Sequence, residues 1–454
     1  MARKQKHIYF DYAATTSLDP RVRRAMDPFF SVQFGNPGSL HRFGVQASRA
    51  VFEARRSIGV AIGASPHEVI FTASATEANN LALRGVIREF RVQGLGLRKS
   101  VRPRIIVSAI EHESILETAR DLEKEGAEVV VIPVSRYGSI NLPKLEAALN
   151  DRTVLVSVMY ANNEIGTIQP IIAISDTIKQ FKKEKFSSPK PPQPREHGPR
   201  LGGVARRGQA SHALAERSGL REGNFFLPYP FFHTDAAQAL QYLDCDVTML
   251  GVDLMTLSAH KIYGPKGVGA LYMRRNQKSK VKNQKVGSDF IATIISGGGQ
   301  EYGLRSGTEN VPGIVGFAEA VRCASLMRTR EARRVSILRD SLWQGFRRVW
   351  KGVQLNGPSL KDRRLPNNLN VYVPGIGAQE LLVRLDLWGV AVSAGSACAA
   401  REAVPSHVLQ AIGCNAERAA SSIRFTIGRF TTRREIDAAT RVLNNIRGKL
   451  VSSN

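Results

Sequence analysis

A lysine, an aspartate, two histidines, an arginine and a cysteine stand in short motifs scattered along the chain, all of types that can move protons or make covalent bonds. Lys261 lies in Leu257-Ser258-Ala259-His260-Lys261-Ile262-Tyr263-Gly264-Pro265, after the apolar, strand-like run Val252 to Leu257 and before Gly and Pro. The pattern predicts a turn at a strand end, where backbone curvature aims an amine into a cleft. A partly desolvated amine loses its proton more readily and can form a Schiff base with a carbonyl compound. Isolated lysines in basic loops are usually solvated, so the remaining motifs decide.

Cys398 sits among small residues, Ser393-Ala394-Gly395-Ser396-Ala397-Cys398-Ala399-Ala400, followed by Arg401 and Glu402. A buried structural cysteine is usually packed among large apolar side chains, so these flanks favour an accessible thiol. A free thiol titrates near 8.5, and a neighbouring imidazole or a positive field raises its thiolate share. His112, in Ile110-Glu111-His112-Glu113-Ser114, follows a predicted strand; either a surface position or proton exchange near neutrality suits it. Asp235 ends another strand, where a carboxylate caps a helix or pairs with a cation. Ala75 and Thr76 stand where a strand gives way to a helix, so free backbone N–H groups and the helix dipole point at an anion, or Thr76 merely caps the helix.

The elements that must position these groups alternate. Strands are predicted at Val69 to Thr72, Arg104 to Ala109, Val129 to Val134, Thr153 to Met159 and Tyr229 to His233. Helices are predicted from Ser74 to Glu77 onward, and at Glu113 to Glu125, Leu142 to Leu149 and Ile171 to Lys183. Apolar strands with interposed amphipathic helices imply an α/β fold whose largely parallel sheet is covered on both faces, with ligands beyond the strand ends. After Gly313 a long helical region, interrupted near Gly357, leads to a strand at Asn368 to Val373 and a helix at Gln379 to Trp388, a second and smaller α/β domain.

The 454 residues suffice for two domains, and 43% hydrophobic with 23% charged residues is ordinary for a globular protein. No apolar run is long enough to span a bilayer, and the first residues carry no signal-peptide core, so a cytoplasmic location is expected. Four cysteines without C-x-x-C spacing argue against zinc or a disulfide framework. The formal charge of +25 favours anionic partners such as RNA or acidic proteins, but much of it falls in Arg84 to Arg104, Lys179 to Arg221 and Arg274 to Lys285, which read as solvated loops. The segment 186–224, rich in Pro and Arg, has no apolar face to bury and reads as a disordered basic insertion.

Set beside His233-Thr234-Asp235-Ala236-Ala237-Gln238, Asn162-Asn163-Glu164-Ile165-Gly166, Arg305-Ser306-Gly307-Thr308 and the Cys398 loop, the Lys261 motif closely resembles that of the cysteine desulfurases, the NifS/IscS-like members of the class V aminotransferase group, which use pyridoxal phosphate. The resemblance runs from Ile8-Tyr9-Phe10-Asp11-Tyr12-Ala13-Ala14-Thr15-Thr16 to Phe430, insertions excluded. It implies the pyridoxal-phosphate fold type I, with residues 1–17 packing on the small domain, 18–275 forming the large cofactor-binding domain and 276–454 the small C-terminal domain with the cysteine loop. It implies that Lys261 holds the cofactor and then moves the substrate α-proton. Asp235 would partner the pyridine nitrogen, and Gln238 and Asn163 the phenolic oxygen. His112 would stack on the ring, and Ala75, Thr76, His233 and Ser258 would hold the phosphate beside His260. Thr308 matches a residue that reaches the phosphate of a neighbouring subunit, which implies a homodimer.

By the same resemblance Arg424, in Ser422-Ile423-Arg424-Phe425, clamps the carboxylate of L-cysteine with help from Asn36, and Cys398 takes the sulfur as a persulfide, releasing L-alanine. A sulfur-acceptor or iron–sulfur scaffold protein would collect it, for iron–sulfur cluster assembly or tRNA thiolation. No dedicated metal site is expected, although Cys398 can transiently ligate an iron–sulfur cluster. Cys245, Cys323 and Cys414 are expected to be structural. The full length of the loop up to Pro405 favours the NifS/IscS branch over the short-loop branch. Ala259, Ser296 and Gln300 depart from residues often seen in the family. The alternatives are a selenocysteine lyase or aminotransferase of the same fold, and a basic RNA- or protein-binding module; RNA contact can also coexist with catalysis.

Overall fold

The computed structural model describes residues 7–93, 102–186, 229–275, 290–395 and 406–452. Cys398 lies outside them, as do nearly all of the expected 186–224 insertion and of the basic stretch Arg274 to Lys285. In chain order the elements are β1 (Ile8–Tyr9), α1 (Pro20–Met26), α2 (Pro28–Ser31), α3 (Arg42–Ala61), β2 (Val69–Thr72), α4 (Ala75–Gln93), β3 (Arg104–Ser108), α5 (Glu113–Lys124), β4 (Glu128–Ile132), α6 (Leu142–Ala148), β5 (Thr153–Ser157), α7 (Ile171–Phe186), β6 (Phe231–Asp235), α8 (Val247–Leu250), β7 (Leu254–Ser258), β8 (Gly269–Met273) and α9 (Val311–Val349). There follow β9 (Gln354–Leu355), β10 (Asn368–Tyr372), α10 (Ala378–Leu387), β11 (Val390–Ala391), α11 (His407–Ala411), α12 (Ala416–Ala420), β12 (Ser422–Thr426) and α13 (Arg433–Ser452).

Seven strands form one sheet in the order β2-β8-β7-β6-β5-β3-β4. Neighbours from β4 across to β7 are parallel, and only β8 runs against both of its neighbours. Helices cover both faces, and the alternation of each strand divides its apolar residues between two cores. Ile106, Val156, Phe232 and Met255 face one core with α3, α7 and the first half of α9. Ile105, Val107, Leu155, Phe231 and Leu254 face the other with α4 and α5.

The smaller body has a third core, in which Ile8 and Phe10 meet Leu342, Phe346, Leu369, Ile423, Phe425 and Leu443. Its sheet is antiparallel, in the order β12-β10-β9, and β1 pairs with β11 in a separate parallel ladder. The division between bodies does not fall at 275/276. Phe290, Ile291 and Leu304 still belong to the core under α4, and α9 contributes Phe317 and Val321 to the large body but Val335 and Leu342 to the small one. Hydrophobic burial, which period alone does not reveal, sets this boundary inside a single 39-residue helix. Among the described residues no helix is long and apolar enough to cross a membrane.

Candidate active site

The C-terminal ends of β2, β3, β5, β6 and β7 point the same way, and the turns that leave them converge on a cleft of about 240 Å³. Ala75 and Thr76 reach it from the start of α4, His112 from the turn after β3, Asn163 from that after β5, Asp235 and Gln238 from β6, and His260 and Lys261 from the 3-10 turn after β7. Arg424 enters from β12 of the small body. Nine residues expected from sequence thus share one cavity.

Lys261 Nζ donates to the carbonyls of Ala13 and Ala14, at 2.6 and 2.7 Å. Gln238 Nε2 donates to the Ala13 carbonyl at 2.9 Å. The segment after β1 is therefore a wall of the cleft, and sequence reasoning missed it because it acts through main-chain oxygens, which leave no side-chain signal. The His260 imidazole meets Thr15 Oγ1 at 3.1 Å, and burial followed by the Lys261 charge pushes its pKa down to about 4, so it is neutral at physiological pH.

Asp235 is buried, and each of its oxygens accepts one hydrogen bond: Oδ1 from the Ala237 amide at 2.9 Å and Oδ2 from Asn79 Nδ2 at 2.8 Å. The Asn79 amide also donates to Ser114 Oγ at 2.8 Å. Ser114 Oγ in turn lies 2.9 Å from His112 Nδ1, which accepts from the Ser114 amide at 3.1 Å. A chain of contacts thus couples the carboxylate to the imidazole. Because Nδ1 accepts, the proton of the neutral His112 ring sits on Nε2.

Arg424 is only 1% exposed. One terminal nitrogen donates to Asp11 Oδ1 at 2.8 Å, the other to the Asn163 carbonyl at 3.0 Å, and Nε is buried without a hydrogen-bond partner among the described residues. Asp11, quoted in the N-terminal motif but given no role, is thus the side chain that holds the guanidinium.

Ser258 is buried and does not line the cleft, and three further expected site residues lie elsewhere. His233 is wholly buried and does not line the cleft: its ring nitrogens meet Ser157 Oγ at 2.8 Å and Thr256 Oγ1 at 3.0 Å, and burial drives its pKa down to about 4. It occupies the face of β6 that also carries Asp235, but two residues deeper in the sheet, out of reach of a ligand at the strand end. Asn36 is exposed, its Oδ1 accepting from the Gly38 amide at 2.9 Å. Thr308 is exposed at the rim of a second cavity, lined also by Thr72, Ala73 and Arg305. Neither reaches the cleft of its own chain. Cys245, Cys323 and Cys414 are free thiols whose pKa values burial raises, Cys245 to about 12, as befits structural positions.

The donor set fits pyridoxal phosphate. Ala75 and Thr76 open a 19-residue helix, where no preceding carbonyl can accept from their amides. Ser258 Oγ is buried with no hydrogen-bond partner among the described residues. Its cross-strand neighbour Gly269 packs so closely that a Cβ there would lie 2.8 Å from the Ser74 carbonyl carbon, and Gly269 also pairs with Thr72, so hydroxyl and helix start flank the same point of β8. An amine, a buried carboxylate and an anion cradle are the groups that a carbonyl-bearing pyridine phosphate requires.

The chain matches the family Aminotransferase class-V over residues 8–186 and 230–439. It is 39% identical over 446 residues to "Cysteine desulfurase IscS" of Dictyoglomus turgidum, covering 98% of this chain and 96% of that one. Among solved structures, a "NIFS-LIKE PROTEIN" superposes with a TM-score of 0.76 at 31% identity, covering 98% of this chain and 100% of that one. The structure titled "SspA in complex with cysteine" gives 0.69 at 30% identity, covering 94% and 100%. The chain therefore belongs to the class-V aminotransferase family, among its pyridoxal-phosphate-dependent cysteine desulfurases.

Proposed function

We propose that the protein converts L-cysteine to L-alanine in the cytoplasm and passes the sulfur, through a persulfide on Cys398, to an acceptor protein that serves iron–sulfur cluster assembly or tRNA thiolation. The observation that carries this reading is the meeting of Lys261, Asp235, His112 and Arg424 in one cleft. Ala75, Thr76 and Ser258 would hold the cofactor phosphate, Asp235 its ring nitrogen, Gln238 and Asn163 its phenolic oxygen, and Lys261 its carbonyl carbon. Bound there, pyridoxal phosphate supplies a ring that accepts the electron pair released at the substrate α-carbon.

The chain's own groups do the rest. Arg424 binds the substrate carboxylate through its forked nitrogens. Lys261 Nζ takes the α-proton and later returns a proton to carbon. His112 Nε2 exchanges the proton of the substrate thiol. The Cys398 thiolate attacks the substrate sulfur; the C–S bond breaks, an S–S bond forms, and the carbon left behind takes up a proton to become the methyl group of alanine. Gly395 is two residues from Ser393, whose backbone is paired with that of Arg424 at 2.7 and 3.2 Å. Three residues span at most about 11 Å, which supports a Cys398 within reach of the substrate.

The active unit in this reading is a homodimer, in which Thr308 and Asn36 serve the partner's cleft. The exposure of Phe30, Val32, Phe34, Leu40 and Phe43, a run of large apolar residues around Asn36, supports it. The test is a visible absorbance spectrum with and without L-cysteine, followed by mass analysis of the Cys398 peptide. Cys398→Ala is expected to keep the yellow colour and lose the added sulfur; sulfide release from cysteine at the parent rate would overturn the role of the thiol.

A further inference from the structure

Ten residues, 396–405, separate Gly395 from Ser406, and both of these flanking residues lie against one carboxylate. Glu164 Oε2 accepts from Ser406 Oγ at 2.5 Å, and a Cβ on Gly395 would stand 3.7 Å from the same oxygen and 3.6 Å from Ser406 Cβ. The segment that carries Cys398 therefore leaves and rejoins the described fold at a single point.

Glu164 is itself held from every side. Its amide and that of Ile165 donate to Asn162 Oδ1, each at 2.9 Å, an Asx turn that fixes the loop after β5. Its carbonyl accepts from Asn368 Nδ2 at 3.0 Å and Asn370 Nδ2 at 3.1 Å, both on β10. The preceding carbonyl, that of Asn163, accepts from Arg424. Beyond the hydroxyl, Ser406 caps α11 by accepting from the Leu409 amide at 3.2 Å, and His407 Nε2 meets the Glu111 carbonyl at 2.9 Å, next to His112. Glu164 is 1% exposed yet does not line the cleft.

A carboxylate withdrawn from water costs stability unless hydrogen bonds offset it, so a glutamate at this depth calls for an explanation other than packing. We propose that Glu164 is a positioning residue for sulfur transfer. Its carboxylate holds the base of segment 396–405 at a fixed place relative to Arg424 and His112, and so sets how often the Cys398 thiol meets the substrate sulfur. Pinning both ends of a short loop raises the effective concentration of a group it carries, and a small displacement of the base lowers it steeply. The inference rests on the role proposed above for Cys398.

The test uses Glu164→Ala, Glu164→Gln and, from the other side of the contact, Ser406→Ala. In protein without cofactor, amide exchange over His407 to Ala411 is expected to accelerate at least about ten-fold in Glu164→Ala, with exchange in β5 to β7 unchanged. In protein loaded with pyridoxal phosphate, single-turnover persulfide formation on Cys398 is expected to slow by about 10- to 100-fold. The L-cysteine concentration giving half the spectral change should move by less than about two-fold. Glu164→Gln keeps an acceptor oxygen and should recover most of the rate. Parental persulfide rates in both Glu164→Ala and Ser406→Ala would overturn the proposal. So would an equal loss of cysteine affinity and rate, which would make Glu164 a mere prop for Arg424. If Ser406→Ala alone folds, it decides the matter by the same readouts. A parent protein that turns over cysteine without ever carrying sulfur on Cys398 removes the role of that thiol as well, a failure the variants alone cannot produce.

Discussion

Arg424 offers two nitrogens to partners in its own chain and keeps Nε inward, so its planar fork is oriented before any substrate arrives. A lysine at this place would keep the charge but lose the fork and the contact with Asp11. Arg424→Lys is expected to raise KM for L-cysteine by about 10- to 100-fold, from the loss of a charge-assisted hydrogen bond, with a smaller effect on kcat; steady-state alanine production measures it. Glu111 is a second informative residue. It is fully buried, with Oε1 accepting from Ser108 Oγ and the Met159 amide and Oε2 without a partner among the described residues, and burial raises its pKa to about 8. Between an unfolded value near 4.3 and a folded value near 8 the folded chain binds the extra proton, so stability falls as pH rises through that window. Glu111→Gln should flatten the slope and raise Tm at pH 8 relative to the parent, as thermal melts from pH 5 to 9 would show.

At the scale of elements, the strand and helix alternation was readable because buried parallel strands are short apolar runs and their helices are amphipathic. Lys261 fell where expected for the same reason: the apolar run of β7 ends at Ser258, and the turn that follows, ahead of Gly264 and Pro265, carries the lysine. Depth was not readable. His233 and Asp235 are two letters apart, but along a strand that is roughly 7 Å, enough to separate a buried histidine from a ligand. Nor was pairing: β8 reverses direction among parallel neighbours, and the 3.6- and 2-residue periods carry no sign of strand direction. Element junctions also depend on single buried groups that composition hides. Arg55 of α3 meets Glu301 at 2.6 and 2.7 Å, both buried, and the same carboxylate accepts from the Phe71 amide of β2. Glu301→Gln leaves a buried guanidinium without its counter-charge, and a loss of about 3–5 kcal/mol is expected from chemical denaturation.

For the whole molecule, the apolar run Phe30 to Phe43 and the outward-facing Thr308 lead to one expectation. Sedimentation should give about twice the 49.8 kDa of the chain. Phe34→Glu combined with Leu40→Glu should shift it toward the monomer and lower cysteine turnover, because Thr308 could then reach no second cleft. A dimer unaffected by these changes would place the interface elsewhere. The helix α9 has a consequence of another kind. At 39 residues it is about 58 Å long and is rooted at one end in the sheet and at the other in the body that carries Trp343, Trp350 and Trp388, the three tryptophans of the chain. Neither half can melt without shortening the support of the other, so heat should erase indole fluorescence and total ellipticity at one common temperature, and a lagging signal would mean that this girder can fracture midway.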